Sequence, residues 1–372
     1  MNSNNIEIEL IKKINGQNKI NNFIISPIGI EIILSLCSNG AEGETQKEIL
    51  QFLNYNNMEE ANQKSKEILQ QLLKNEDCIK MANAILTKIS AKQKFIKIGV
   101  TDYNAKIEEL KNYEHVNKWA KNKTNNKIVQ IIDSLSPKVL MILLNAIYFE
   151  AFWSLQFDQK QSYDEEFFNI NQSEVKSINT IMMLLNGKLL NYYENDYMKA
   201  VKLNYKINNG SINAIIILPK ENINSFIQSF NNEKYEEIIE GLKKDKIKVN
   251  LLLPTFEIEY KIDIAEILSD LGIRKAFTQK AEFKGISDKI PLNIGQVLHK
   301  NYINVNEKGT QAASVTELDV ILECYRTRDP NGKDFIANKP FIFLIRNEEC
   351  PKGKDILFFT KICKIEKKIN NH

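Results

Sequence analysis

The sequence predicts an α+β fold built mostly of sheet, and three observations carry that prediction. Apolar residues at helical spacing crowd the first third of the 372-residue chain, and alternating or continuous apolar runs of strand length dominate the rest. That order differs from the regular strand–helix alternation of a parallel α/β sheet. No internal repeat and no Gly/Ser/Pro linker divides the chain, so residues 1–372 read as one domain.

Ile6, Ile8, Leu10, Ile11 and Ile14 predict an amphipathic helix with a polar tail over the first 22 residues. Phe23-Ile24-Ile25 follows, then Ser26-Pro27 and a run apolar nearly all round, ended by Gly40 and Gly43. Ser26 suits a helix N-cap. Pro27 suits the first helical position, where its missing N–H has no partner to lose. A helix apolar on every side is a buried one. Leu/Ile stripes over residues 44–77 predict two more helices, residues 81–89 a strand, and residues 114–132 a helix with a polar end.

Leu140 to Phe149 is a continuous apolar run broken only by Asn145. It is too short for a bilayer, which needs about 20 residues, and fits a fully buried central strand. Strands are predicted over residues 197–206, 211–220 and 246–262, the last bent or edged by Pro254. Residues 263–277 read as a helix capped by Asp263. Residues 301–309 then read as a strand, and two hydrophobic strands, 335–347 and 355–365, flank a charged turn.

Composition excludes several functions. Fifty Lys and Arg against 47 Asp and Glu leave a net charge of +3, with no basic field to attract nucleic acid. A hydrophobic content of 43% with only 14 Gly and 8 Pro excludes collagen-like and disordered classes. No phosphate-binding loop, dinucleotide fingerprint, H-E-x-x-H or G-x-S-x-G occurs, so nothing indicates an enzyme or a cofactor. The histidines are His115, on a polar helix, His299, with a structural role, and the terminal His372. Cys37, Cys78, Cys324, Cys350 and Cys363 are widely spaced without C-x-x-C, which argues against a zinc site and for free thiols in a reducing compartment. The N-terminus lacks the basic and apolar regions of a signal peptide, and the chain reads as soluble and cytoplasmic, with a signal-free route of secretion left open.

One segment, Asn306 to Lys333, stands apart. Glu307-Lys308-Gly309 opens it like a hinge, and Thr310, Gln311, Ala312, Ala313 and Ser314 follow. Alternate residues Thr310, Ala312, Ser314, Thr316, Leu318, Val320 and Leu322 carry no charge, whereas the opposite register holds Gln311, Glu317, Asp319 and Glu323. With a period of two, such a segment can bury its first face as a strand.

These residues resemble the serpins. Glu307-Lys-Gly-Thr-Gln-Ala-Ala matches the hinge of the family's reactive-centre loop, which here spans about residues 307–337. Asn338-Lys-Pro-Phe-Ile-Phe-Leu-Ile matches the strand after that loop. Leu357-Phe-Phe-Thr-Lys-Ile resembles the closing strand, with Thr360 in place of the usual glycine. Asn22-Phe-Ile-Ile-Ser-Pro resembles the start of the buried second helix, and Leu144 to Trp153 the central-strand motif. Gly29 replaces a usual serine, and Thr255 follows Pro254 where lysine is common.

The resemblance implies three β-sheets, eight or nine helices and an exposed reactive-centre loop. It places Ser26, Asn145 and His299 in the "shutter" beneath the sheet's opening strands, and Trp153 and Glu307 in the "breach" where the loop begins to insert. It further implies a suicide-substrate inhibitor whose partner is a serine protease held as a covalent acyl complex. Such a protein is a monomer able to polymerise by loop–sheet exchange, and it needs no metal, cofactor, nucleic acid or membrane. The family's count from the hinge glycine puts the scissile residue at Glu323. Arg326 and Arg328 suit trypsin-like proteases, Leu322 or Tyr325 chymotrypsin-like ones, and Arg326 is the favoured site. The alternative is a non-inhibitory serpin used for binding, storage or chaperoning, whose hinge carries bulky or charged residues where this one has Ala312-Ala313-Ser314.

Overall fold

The computed structural model describes residues 6–366 apart from residues 111, 135, 137, 171–174 and 311–327. Nine α-helices and sixteen strands occur among the described residues. The first helix, α1 (Ile6–Gln17), buries Ile8, Leu10, Ile11 and Ile14. It stops short of residue 22 because the Asn18 amide donates to the Ile14 carbonyl at 2.9 Å, a side-chain bond that competes with further helix. After β1 (Phe23–Ile25), α2 (Pro27–Ser38) has every residue buried, and Ser26 caps it by accepting from Gly29 N–H at 3.3 Å. The predicted pair α3 (Gly43–Phe52) and α4 (Met58–Lys74) follows, then β2 (Ile79–Thr87).

A further helix, α5 (Gln93–Tyr103), and strand β3 (Ala105–Glu109) lie where the sequence offered no clear period. The predicted helix 114–132 is half as long. Its helical part, α6 (Tyr113–Lys123), ends where Asn125 and Asn126 turn left-handed (φ 50° and 63°), a conformation asparagine tolerates. Ile128, Ile131 and Ile132 then pack as a linker rather than as helix.

The next strands are β4 (Met141–Phe149), β5 (Ala151–Trp153), β6 (Tyr163–Ile170), β7 (Val175–Glu194), β8 (Met198–Lys206) and β9 (Ile212–Pro219). Helices α7 (Ile223–Ser229) and α8 (Asn232–Gly241) precede β10 (Ile247–Pro254) and β11 (Phe256–Asp263). Pro254 ends β10, and the chain passes there from one sheet to another. The helix predicted over 263–277 is only α9 (Ala265–Asp270), because Gly272 turns at φ 117° and a 3-10 turn takes Lys275–Phe277. Asp263 Oδ1 accepts from Ala265 N–H at 3.1 Å, as a cap would. Strands β12 (Ile294–Asn306), β13 (Gly309–Thr310), β14 (Lys333–Ile336), β15 (Phe341–Asn347) and β16 (Ile356–Ile362) complete the chain.

The strands form three sheets joined through shared members. The main sheet runs β11-β12-β4-β2-β3, with β13 and β5 filling its upper end between β12 and β8. A second runs β1-β16-β15-β9-β8-β7, and a third joins β6, β7, β10 and β14. The principal core, with α2 inside it, lies between the first two sheets. A second apolar cluster lies on the other face of the main sheet, under α6 and its linker.

The candidate functional site: a sheet seam and the hinge that enters it

At the upper end of β12 the chain reverses through Glu307 and Lys308, and Asn306 Oδ1 accepts from the N–H groups of Lys308 (3.0 Å) and Gly309 (3.3 Å). Gly309 and Thr310 then form β13, hydrogen-bonded on one side to Asn306 and Val305 of β12 and on the other to Phe152 and Ala151 of β5. A Cβ on Gly309 would lie 2.1 Å from the Ala151 carbonyl oxygen, so this position has room only for glycine. Thr310 is fully buried, and its Oγ1 shares a 2.7 Å hydrogen bond with the Tyr205 hydroxyl. Tyr205 stacks on Trp153 with ring centroids 4.4 Å apart. Trp153 donates its indole N–H to the Asn306 carbonyl at 3.0 Å and its backbone N–H to that of Lys308 at 2.9 Å. Glu307 is buried, accepting from Ser162 Oγ at 2.8 Å through its carboxylate and from Phe157 N–H at 3.0 Å through its carbonyl.

Below the hinge, β4 and β12 pair directly and in parallel, from Met141 opposite Ile294 up to Tyr148 opposite Tyr302. This is the seam a longer inserted strand would open. His299 faces Asn145 across it. Ser26 N–H donates to His299 Nε2 at 2.9 Å, tying the seam to the start of α2. Burial pulls the His299 pKa down to about 3, so the ring is neutral and Nδ1 carries the proton. Among the described residues that Nδ1–H has no hydrogen-bond partner, nor has Asn145 Oδ1, although the Asn145 amide donates to Asn83 Oδ1 at 2.6 Å. A buried donor and a buried acceptor thus stand unsatisfied on the two strands that flank the seam. Each such group costs about 1–3 kcal/mol. Gly29 belongs to the same arrangement: a Cβ there would lie 2.4 Å from Asn145 Oδ1, so the amide occupies the space a side chain would need.

The structure therefore brings Ser26, Asn145 and His299 together at the seam, and Trp153, Glu307, Lys308, Gly309 and Thr310 at its upper end. Arg328, the one scissile candidate among the described residues, is ion-paired to Asp334 at 3.4 Å. Its neighbour Asp329 is anchored, with its N–H donating to Asn186 Oδ1 at 2.7 Å and its carboxylate 3.1 Å from Lys248 Nζ. Gln311, Ala312, Ala313, Ser314, Leu322, Glu323, Tyr325 and Arg326 lie outside the described residues. Sequence reasoning missed Tyr205, Asn83 and Ser162. Tyr205 sat in a predicted strand as one more aromatic, and nothing local marked it as the partner of Thr310.

The serpin (serine protease inhibitor) family model matches residues 1–365. Serpin B10 of Homo sapiens is 30% identical over 401 aligned positions, covering 97% of this chain and 98% of that protein. The crystal structure of Serpin48 from the insect Tenebrio molitor superposes with a TM-score of 0.80 at 27% identity, over 97% of this chain and 96% of that one. Human thyroxine-binding globulin shares the fold, with a TM-score of 0.83 at 21% identity over 98% and 97% of the two chains. The motif resemblance, the three-sheet architecture and these matches agree: this chain belongs to the serpin family.

Proposed function

We propose that this chain inhibits trypsin-like serine proteases as a suicide substrate, through the cycle its family name implies. The protease serine attacks the carbonyl of the scissile residue, expels the amine of the next residue and leaves an ester joining the loop to the enzyme. The loop then enters the main sheet before water cleaves that ester. The alternative, a non-inhibitory serpin, is disfavoured by Ala312-Ala313-Ser314, which gives the hinge neither bulk nor charge to resist entry.

The register of β13 is the observation that carries this reading. Thr310 pairs with both Val305 and Ala151. Extending that antiparallel register down the seam brings Thr316 opposite His299 on one side and Asn145 on the other, the two residues that already face each other. A threonine hydroxyl both donates and accepts. Thr316 would therefore supply the partners that His299 Nδ1 and Asn145 Oδ1 lack, so insertion satisfies two groups the resting seam leaves orphaned. The same register faces uncharged side chains inward as far as Leu322, which spares the sheet the cost of an unpaired buried charge.

For the scissile bond, the anchoring of Asp329 and the ion pair of Arg328 favour Arg326 over Arg328. Glu323, Leu322 and Tyr325 are the competing positions. Four unpaired thiols among the described residues, at Cys37, Cys78, Cys350 and Cys363, support a reducing, cytoplasmic setting. No described helix is long and apolar enough to cross a membrane. Incubation with a panel of serine proteases, followed by a denaturing gel, tests the function. A covalent band with a trypsin-like enzyme supports it, and cleavage of the loop without any such band by every enzyme overturns it.

A further inference from the structure

Five Asn-Gly pairs occur in the chain, beginning at Asn15, Asn39, Asn186, Asn209 and Asn331. Such a pair is chemically labile, because glycine has no Cβ to keep its peptide nitrogen away from the asparagine side chain. The fold restrains four of them. Asn15 is buried within α1. Gly40 N–H donates to the Cys37 carbonyl at 3.0 Å, and the Asn39 amide is held by the Ser35 carbonyl and Asn62 Oδ1. Gly187 N–H donates to Asn250 Oδ1 at 2.9 Å, while Asn186 Oδ1 accepts from Asp329 N–H at 2.7 Å. Gly332 N–H donates to the Asp329 carbonyl at 3.0 Å, and Asn331 N–H to Asp329 Oδ1 at 2.9 Å. Asn209 differs. It stands with Asn208 and Gly210 in the exposed connection between β8 and β9, and none of the three makes a hydrogen bond among the described residues.

The same connection is clamped to the turn between β15 and β16. Ser211 accepts from Glu348 N–H through its carbonyl and donates its hydroxyl to Glu348 Oε2, both at 2.9 Å. The Asn213 amide donates to Glu348 Oε1 at 3.0 Å. Gly210, at φ 88°, lies so close to Glu349 that a Cβ on it would be 3.0 Å from each carboxylate oxygen.

We propose that Asn209 is a site of spontaneous deamidation, and that the charge it gains loosens the clamp between the β8–β9 connection and the β15–β16 turn. The Gly210 nitrogen attacks the carboxamide carbon of Asn209 and forms a C–N bond. Ammonia leaves, taking up the proton of the peptide N–H, and a cyclic imide remains. Water then opens the imide at either carbonyl. One opening gives aspartate, and the other gives isoaspartate, whose backbone runs through the former side chain. Both products carry a new carboxylate next to Glu348 and Glu349, where like charges repel. The sequence of steps consumes only water and needs no oxidant, metal or enzyme.

The test incubates the intact protein in mildly alkaline buffer, digests samples at intervals and follows each Asn-Gly peptide by mass spectrometry, with an isoaspartyl methyltransferase to mark isoaspartate. In the folded protein Asn209 should convert first, ahead of Asn331, with the other three silent. In denaturant all five should convert at comparable rates. Protein converted at Asn209 should melt about one degree below fresh protein, the size expected of one exposed charge contact in a chain of this length. Asn209→Gln should keep its melting temperature through the same incubation, and Glu349→Gln should shrink the loss. Resistance of Asn209 in the folded protein, or conversion of Asn331 just as fast, would overturn the site. Equal melting of converted and fresh protein, the same drop in Asn209→Gln, or an undiminished drop in Glu349→Gln would overturn the loosening.

Discussion

Thr310 and Tyr205, 105 residues apart in the chain, meet in a buried hydrogen bond of 2.7 Å between β12 and β8. Gly309 and Thr310 are thus already part of the main sheet, while β4 and β12 below pair directly with each other.

Replacing Thr310 by arginine should turn the inhibitor into a substrate. The guanidinium would displace the Tyr205 contact and have to bury beside Val305 and Ala151, an unpaired charge costing several kcal/mol. Hydrolysis of the acyl-enzyme would then outrun insertion. Gln311→Arg, in the opposite register, should change little. Stoichiometries of inhibition against one susceptible protease decide, and one-to-one trapping by Thr310→Arg would refute the argument.

Cleavage by the trapped protease should release a C-terminal peptide beginning at Thr327, with Asp329 as the second choice. Mass spectrometry of that peptide reads the site directly. A start at Cys324 would place the scissile bond after Glu323 and remove the arginine from its proposed role.

Cutting the loop should stabilise the fold, because the freed segment can add a strand to the seam and give His299 and Asn145 their partners. Melting temperatures before and after limited cleavage within residues 318–329 should differ by roughly ten degrees or more, which at about 1.3 °C per kcal/mol for a chain of this length corresponds to about 8 kcal/mol. Equal values would support the non-inhibitory alternative.

Acid should weaken the seam through His299. Its pKa falls from an ordinary 6.5 to about 3 through burial, so the neutral ring contributes stability that is complete above about 6.5. That stability is lost progressively as pH drops towards 3. His299→Gln should be less stable at neutral pH but flatter across that window. Denaturant titrations between pH 7 and pH 4 measure it, and parallel curves for the two proteins would contradict the assignment.

Glu7 works in the opposite sense. Burial raises its pKa well above 4.5; Lys354 lowers it, and the nearby Glu31 and Asp355 raise it further. The protonated carboxyl is thus favoured in the fold, and the stability it contributes is complete below about 4.5 and lost as pH rises towards the elevated value. Glu7→Gln should remove that loss and leave the protein more stable than wild type on the alkaline side. A wild-type stability that does not decline relative to Glu7→Gln as pH rises would show that Glu7 ionises freely.

Some of this molecule is written in short stretches of sequence. The run of residues 28–37, apolar nearly all round, determined that α2 is buried, the Ser26-Pro27 pair determined where it starts, and Asn145 in its apolar run marked a polar group inside the core. The alternation of uncharged residues from Thr310 to Leu322 was legible as well, because a strand that buries one face shows it at every second position. Tertiary structure alone decided that Thr310 is paired in the main sheet, that Tyr205 meets it there, that His299 and Asn145 face each other with atoms unsatisfied, and that Lys261 and Lys300 reach the segment between α6 and β4. The physical reason is range. Periodicity reports what neighbours a few residues away share, whereas these contacts join segments 105 to 273 residues apart, or strands whose partners only the sheet order selects. Helix α6 shows the same limit from the other side: the apolar period of residues 128–132 was real, but it recorded burial against β4 and β12 rather than helix.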